Sequence, residues 1–134
     1  MTDNYGFILF GWQIEEDALE ADLCNNPVND GDNKIEDFDD FLDRYSYWVE
    51  EPAMPTIKYV PDPMMGERGF FGVLIHMEDL EEDQEDAYLI PDEEEYMEMF
   101  IKFSHEHPEL YKRLQACTPS ERKQPRFMFA VQKF

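Results

Sequence analysis

The chain has 134 residues, and 32 Asp and Glu against 11 Lys and Arg give it a formal net charge of -21. Charge of this size opposes compaction and repels anionic membranes and nucleic acid, which disfavours both as direct partners. Leu, Ile, Val and Phe still supply 32 residues, about 24%, above the roughly 20% below which acidic chains stay disordered, so the sequence predicts one folded domain over residues 1–134.

Residues 5–14 (Tyr-Gly-Phe-Ile-Leu-Phe-Gly-Trp-Gln-Ile) are aromatic and β-branched without a charge, and read as a buried strand. Residues 15–24 read as a short helix with an acidic first turn and Leu19 and Leu23 one turn apart. Asn25-Asn26-Pro27 stops it, and residues 29–33 form a turn-rich loop. The clearest helical pattern covers 34–50, where Ile35, Phe38, Leu42, Tyr45 and Val49 make an apolar stripe widened by Phe41 and Trp48. Asp32 or Asn33 is its expected cap, with Glu36 closing a capping box, and Pro52 and Pro55 end it.

Residues 56–60 and 70–77 read as a hairpin with a long tip at 61–69. Residues 78–95 are dominated by acids and read as a surface loop. Helices follow at 92–106, with Tyr96, Met97, Phe100, Ile101 and Ser104 on one face, and at 108–117, with Leu110, Tyr111 and Leu114 inward. Residues 126–132 are the last strand, with Phe127, Phe129 and Val131 on one side. The order β-α-α-β-β-α-α-β predicts an α+β domain: a four-stranded, mostly antiparallel sheet with helices packed on one face.

Charge is unevenly spread along this frame. Residues 102–134 hold seven bases (Lys102, Lys112, Arg113, Arg122, Lys123, Arg126, Lys133) and three acids (Glu106, Glu109, Glu121), a net of +4 that leaves -25 on residues 1–101. The basic third would contact the acidic part of the same chain, keep one face neutral, or offer a small nucleic-acid patch at Arg122, Lys123 and Arg126. No stretch approaches the roughly 18 to 20 apolar residues that span a membrane, and no signal peptide is visible. Two cysteines, Cys24 and Cys117, make no disulfide framework, so a cytoplasmic setting with reduced thiols is expected.

Motifs for chemistry are sparse. There is no phosphate-binding glycine loop and no nucleophile elbow. Asp30, Asp32, Ile35 and Asp39 fall at positions 3, 5, 8 and 12 of a calcium loop, but Val28 stands at position 1, so a capped turn is the expected structure. His105-Glu106-His107 lacks the spacing of helical zinc ligands. No catalytic residue, metal or cofactor is assigned.

The expected helix opposes its stripe with Glu36, Asp37, Asp39, Asp40 and Asp43. On a continuous helix these span about 10 Å, one negative charge per about 2 Å, against one per roughly 1.7 Å of duplex DNA. The alternative is an ordinary solvated face. Glu81, Glu82, Asp83, Glu85 and Asp86 would extend the acidic surface. Met64 and Met65 at the hairpin tip are adaptable contacts for a partner, or else fold over the end of the core.

In size, charge and absence of catalytic motifs the chain resembles the DNA-mimic proteins that bacteriophages and mobile elements raise against restriction, CRISPR and other defence machinery. The resemblance is one of composition. It implies a non-enzymatic inhibitor whose carboxylates take the arginine and lysine sites that a nuclease or defence complex reserves for phosphates, with steered, salt-sensitive binding. One alternative is an immunity protein or antitoxin that masks a basic toxin through aromatic anchors such as Tyr45, Tyr47 or Trp48. Another is a carboxylate-based metal-binding protein or enzyme.

Overall fold

A computed structural model describes residues 4–30, 33–47, 55–61, 68–79, 93–119 and 124–133. The elements in chain order are β1 (Asn4–Glu15), α1 (Glu16–Asn25), β2 (Val28–Asp30), β3 (Asn33–Ile35), α2 (Phe38–Tyr45), β4 (Thr56–Pro61), β5 (Arg68–Asp79), α3 (Glu93–Glu106), α4 (Pro108–Ala116) and β6 (Arg126–Lys133). The main sheet has the order β4-β5-β1-β6, and each of its neighbouring pairs is antiparallel. The architecture is the expected α+β domain.

The helices gather on one face because each offers one apolar side. Leu19 and Leu23 of α1, Phe41 and Tyr45 of α2, Phe100 and Phe103 of α3, and Leu110 and Leu114 of α4 join Phe10, Trp12, Ile14, Tyr59, Phe71 and Val73 of the sheet in one buried cluster. Its aromatic rings meet edge-on or tilted, as their quadrupoles favour: Trp12 lies 4.7 Å from Phe100, and Phe41 lies 5.3 Å from Tyr59. The other face of the sheet also carries a buried cluster, made of Phe7, Leu9, Tyr47, Val60, Leu74 and Met128. Strands apolar on both faces explain why residues 5–14 show no alternation.

Two glycines at the centre of the sheet answer a close approach of backbones. A Cβ at Gly11 would fall 2.1 Å from the Phe71 carbonyl oxygen, and one at Gly72 would fall 2.2 Å from that of Phe10. Gly11 and Gly72 stand opposite one another across β1 and β5.

Two readings change. The helix expected over 34–50 is only Phe38–Tyr45, because Asn33–Ile35 pairs with Val28–Asp30 as a two-stranded hairpin. That pairing sets Val28 opposite Ile35 as a cross-strand apolar pair, both fully buried. Past Tyr45 the chain leaves the helix so that Ser46 bridges Tyr59 and the Tyr47 amide donates to the Tyr59 carbonyl oxygen at 3.2 Å. Second, α3 turns Phe103 inward and leaves Ile101 exposed, so its stripe follows the three-residue step from Phe100. On β6 the alternation is as expected: Phe127 shares the face of Phe10, 5.0 Å from its ring, and is exposed like Phe129, while Met128 is buried on the opposite face. The hairpin tip with Met64 and Met65, and the acidic loop with Glu81, Glu82, Asp83, Glu85 and Asp86, lie outside the described residues.

Candidate functional site

The acids expected on one helix face divide by role. Asp37 is the N-cap of α2, and its carboxylate accepts the Asp40 amide at 2.8 Å. Asp40 turns back and accepts the Glu36 amide at 3.0 Å. The two side chains close a reciprocal cap on the first turn, four or five residues later than the sequence placed it. Glu36 precedes the helix and makes an exposed contact with Lys34 at 3.8 Å, of a kind worth little in water.

Asp39 and Asp43 are left as the outward carboxylates of α2. Both are exposed, one turn and about 6 Å of helix axis apart, opposite the buried Phe41 and Tyr45. Neither pairs with a described base. The even spacing over five acids does not hold, because Glu36 and Asp37 are not helical. Exposed Asp17 and Glu20 of α1 add a second pair, which sequence reasoning missed as a site. Their signal was present: they oppose Leu19 and Leu23 on a helix that packs against α2. A third exposed group, Glu93, Glu94, Glu95 and Glu98, begins α3, where the helix dipole favours anions.

Several of the described bases are committed elsewhere. Arg113 donates to Asp22 at 2.8 Å and to the Asn26 carbonyl oxygen at 3.1 Å, and its other terminal nitrogen lies 3.7 Å from Glu109. It thereby ties α4 to the end of α1, the internal use of the basic third that the sequence offered as one option. Arg68 meets Glu15 at 3.9 Å and Lys102 meets Glu106 at 3.8 Å. Arg126 is exposed, and Arg122 and Lys123 lie outside the described residues.

Arg44 serves a carboxylate of the opposite kind. The Asp30 side chain is 1% exposed, and Arg44 reaches it at 3.3 Å. Tyr45 donates its hydroxyl to the same oxygen at 2.8 Å. His107 Nδ1 contacts the other oxygen, and Arg44 also donates to the Asp30 carbonyl oxygen at 3.1 Å. Burial first, then the hydrogen bond to Asp30, hold the Tyr45 phenol well above its ordinary pKa. The group fastens β2, α2 and the α3–α4 junction together. Asp30 therefore points into the protein and not toward a loop cation. No sequence spacing could have joined it to His107, which lies 77 residues away.

Among the described residues, no group of three or more His, Cys, Asp or Glu is placed to hold a metal ion, and no helix is long and apolar enough to cross a membrane. Cys24 is exposed, Cys117 is buried, and neither forms a disulfide. Of the aromatic anchors expected of an antitoxin, Tyr45 and Tyr47 are each 8% exposed, and Trp48 lies outside the described residues. No protein-family model, curated protein or solved structure matches the chain.

Proposed function

We propose that the protein is a non-enzymatic acidic inhibitor that occupies the nucleic-acid groove of a basic protein, a nuclease or defence complex, in the cytoplasm (the host's, where a phage encodes it). The observation that carries this reading is the division of charge. Arg44, Arg68 and Arg113 are spent on Asp30, Glu15, Asp22 and Glu109, while Asp39 and Asp43, on a helix anchored by Phe41 and Tyr45, face outward with no base paired to them among the described residues. Like charges one turn apart cost a helix a few tenths of a kcal/mol, a cost that a cationic groove would reverse. The helix places its carboxylates without further ordering, so binding loses little entropy. The anionic field of the first 101 residues steers the encounter.

The test is capture from a bacterial lysate on the immobilised full chain, followed by elution with duplex DNA. Basic nucleic-acid-binding proteins are expected on the wild type, released by DNA, and absent from the Asp39→Lys/Asp43→Lys variant, which leaves the capping residues Asp37 and Asp40 in place. Equal retention by that variant, or indifference to DNA, would reduce the α2 face to a solvated surface.

A further inference from the structure

β6 forms one edge of the sheet and, among the described residues, bonds to β1 alone. Edge strands of soluble proteins are normally blunted by charge, proline or a bulge. β6 has no such device between Arg126 and Lys133. Its interior reads Phe-Met-Phe-Ala-Val-Gln, and its register with β1 runs unbroken from Asn4 opposite Lys133 to Gly11 opposite Arg126. Phe127 and Phe129 are 38% and 57% exposed. Residues 124–133 contain Arg126 and Lys133 and no acid, in a chain of net charge -21.

We propose that this edge is where a second copy of the chain adds its own β6, antiparallel, across a two-fold axis at Phe129. Three observations choose a second copy as the occupant. Copies of so acidic a chain repel one another broadly, and this acid-free strand is where they can meet at least cost. A basic partner of the kind sought by the α2 face would find Arg126 and Lys133 here and no carboxylate. The strand can also pair with itself over nearly its whole length. Opposed residues of an antiparallel pair are both hydrogen-bonded to each other or both not, and these alternate along the strand. Two copies of β6 therefore pair residues of equal parity, and the axis passes through a residue, not between two. Centred on Phe129, Phe127 faces Val131, Met128 faces Ala130, and Phe129 faces its own copy. Arg126 then faces Gln132, so no like charges are opposed.

This inference stands apart from the inhibitor reading, and salt separates the two. Screening weakens a contact between opposite charges but relieves repulsion between two anionic copies. Sedimentation velocity of the full chain should show a dimer fraction that rises with protein concentration and with salt. Asp39→Lys/Asp43→Lys should leave that dimer in place. Phe129→Lys should weaken association at least about tenfold while thermal unfolding at low concentration is unchanged, because a charge at the axis faces its own copy. In a Cys24→Ser background, Phe129→Cys should cross-link two chains under mild oxidation, since self-opposed Cα atoms lie about 4.5 to 5.5 Å apart, within the span of a disulfide. Phe127→Cys should not. A monomer at about 0.2 mM protein in high salt, where anionic repulsion is screened, or equal cross-linking at both positions, would overturn the proposal.

Discussion

Asp30 and Asp43 are the same residue type in two opposite settings. Asp30 is sealed inside, with a guanidinium, a phenol and an imidazole on its two oxygens. Asp43 stands in solvent on the last turn of α2, next in sequence to the arginine that serves Asp30. The difference teaches where this fold spends its few bases. A buried carboxylate without partners is prohibitively costly, whereas an exposed one is merely repelled by its neighbours. Arg44 turns to the buried Asp30, and Arg113 to the more exposed Asp22 and Glu109, so neither base serves Asp39 or Asp43. The acidic exterior follows from 32 acids against 11 bases, and on α2 it stays unneutralised because Arg44 turns inward.

The largest expected effect breaks the inward half of the comparison. Asp30→Ala should destabilise the domain by about 3 kcal/mol in urea unfolding, because it strands Tyr45, Arg44 and His107 at once. A loss under about 1 kcal/mol, the scale of an exposed ion pair, would mean that the cluster is not holding β2, α2 and the α3–α4 junction. A middle-sized effect comes from alkali. The folded pKa of Tyr45 is raised above its unfolded value of about 10. Its contribution is therefore complete below about pH 10 and declines as pH rises further, when only the unfolded chain gives up the proton. Tyr45→Phe should make that decline shallower by about 1.4 kcal/mol per pH unit. The smallest effect belongs to the outward half. Asp43→Asn should raise stability by about 0.5 kcal/mol at low salt and by less at high salt, since it removes repulsion by Asp39 and an anion from a helix C-terminus.

Much of the fold was legible because local pattern and burial agree. Leu19 with Leu23 and Leu110 with Leu114 each mark the inner face of a short helix, and both pairs are buried. The uncharged run at 5–14 became the central strand β1. The longest apolar periodicity, 34–50, misled because Ile35 fits a helical stripe and a strand partner of Val28 equally well; contact with Val28 decides, and a one-dimensional pattern does not contain it. The same error shifted the cap from Asp37 to Asp32 or Asn33 and turned two capping side chains into supposed site residues. The charge asymmetry was readable from the sequence, but which bases face which acids depended on contacts such as Arg113 with Asp22, which are 91 residues apart.

The central claim is that outward carboxylates on α2 bind a cationic groove. The most direct test is the affinity of the captured partner for wild type and Asp39→Asn/Asp43→Asn, measured from roughly 50 mM to about 0.5 M salt. The account predicts that wild-type affinity falls at least about tenfold over that range, while the variant starts weaker and the two curves converge at high salt. Superimposed curves, or a wild-type affinity indifferent to salt, would contradict it.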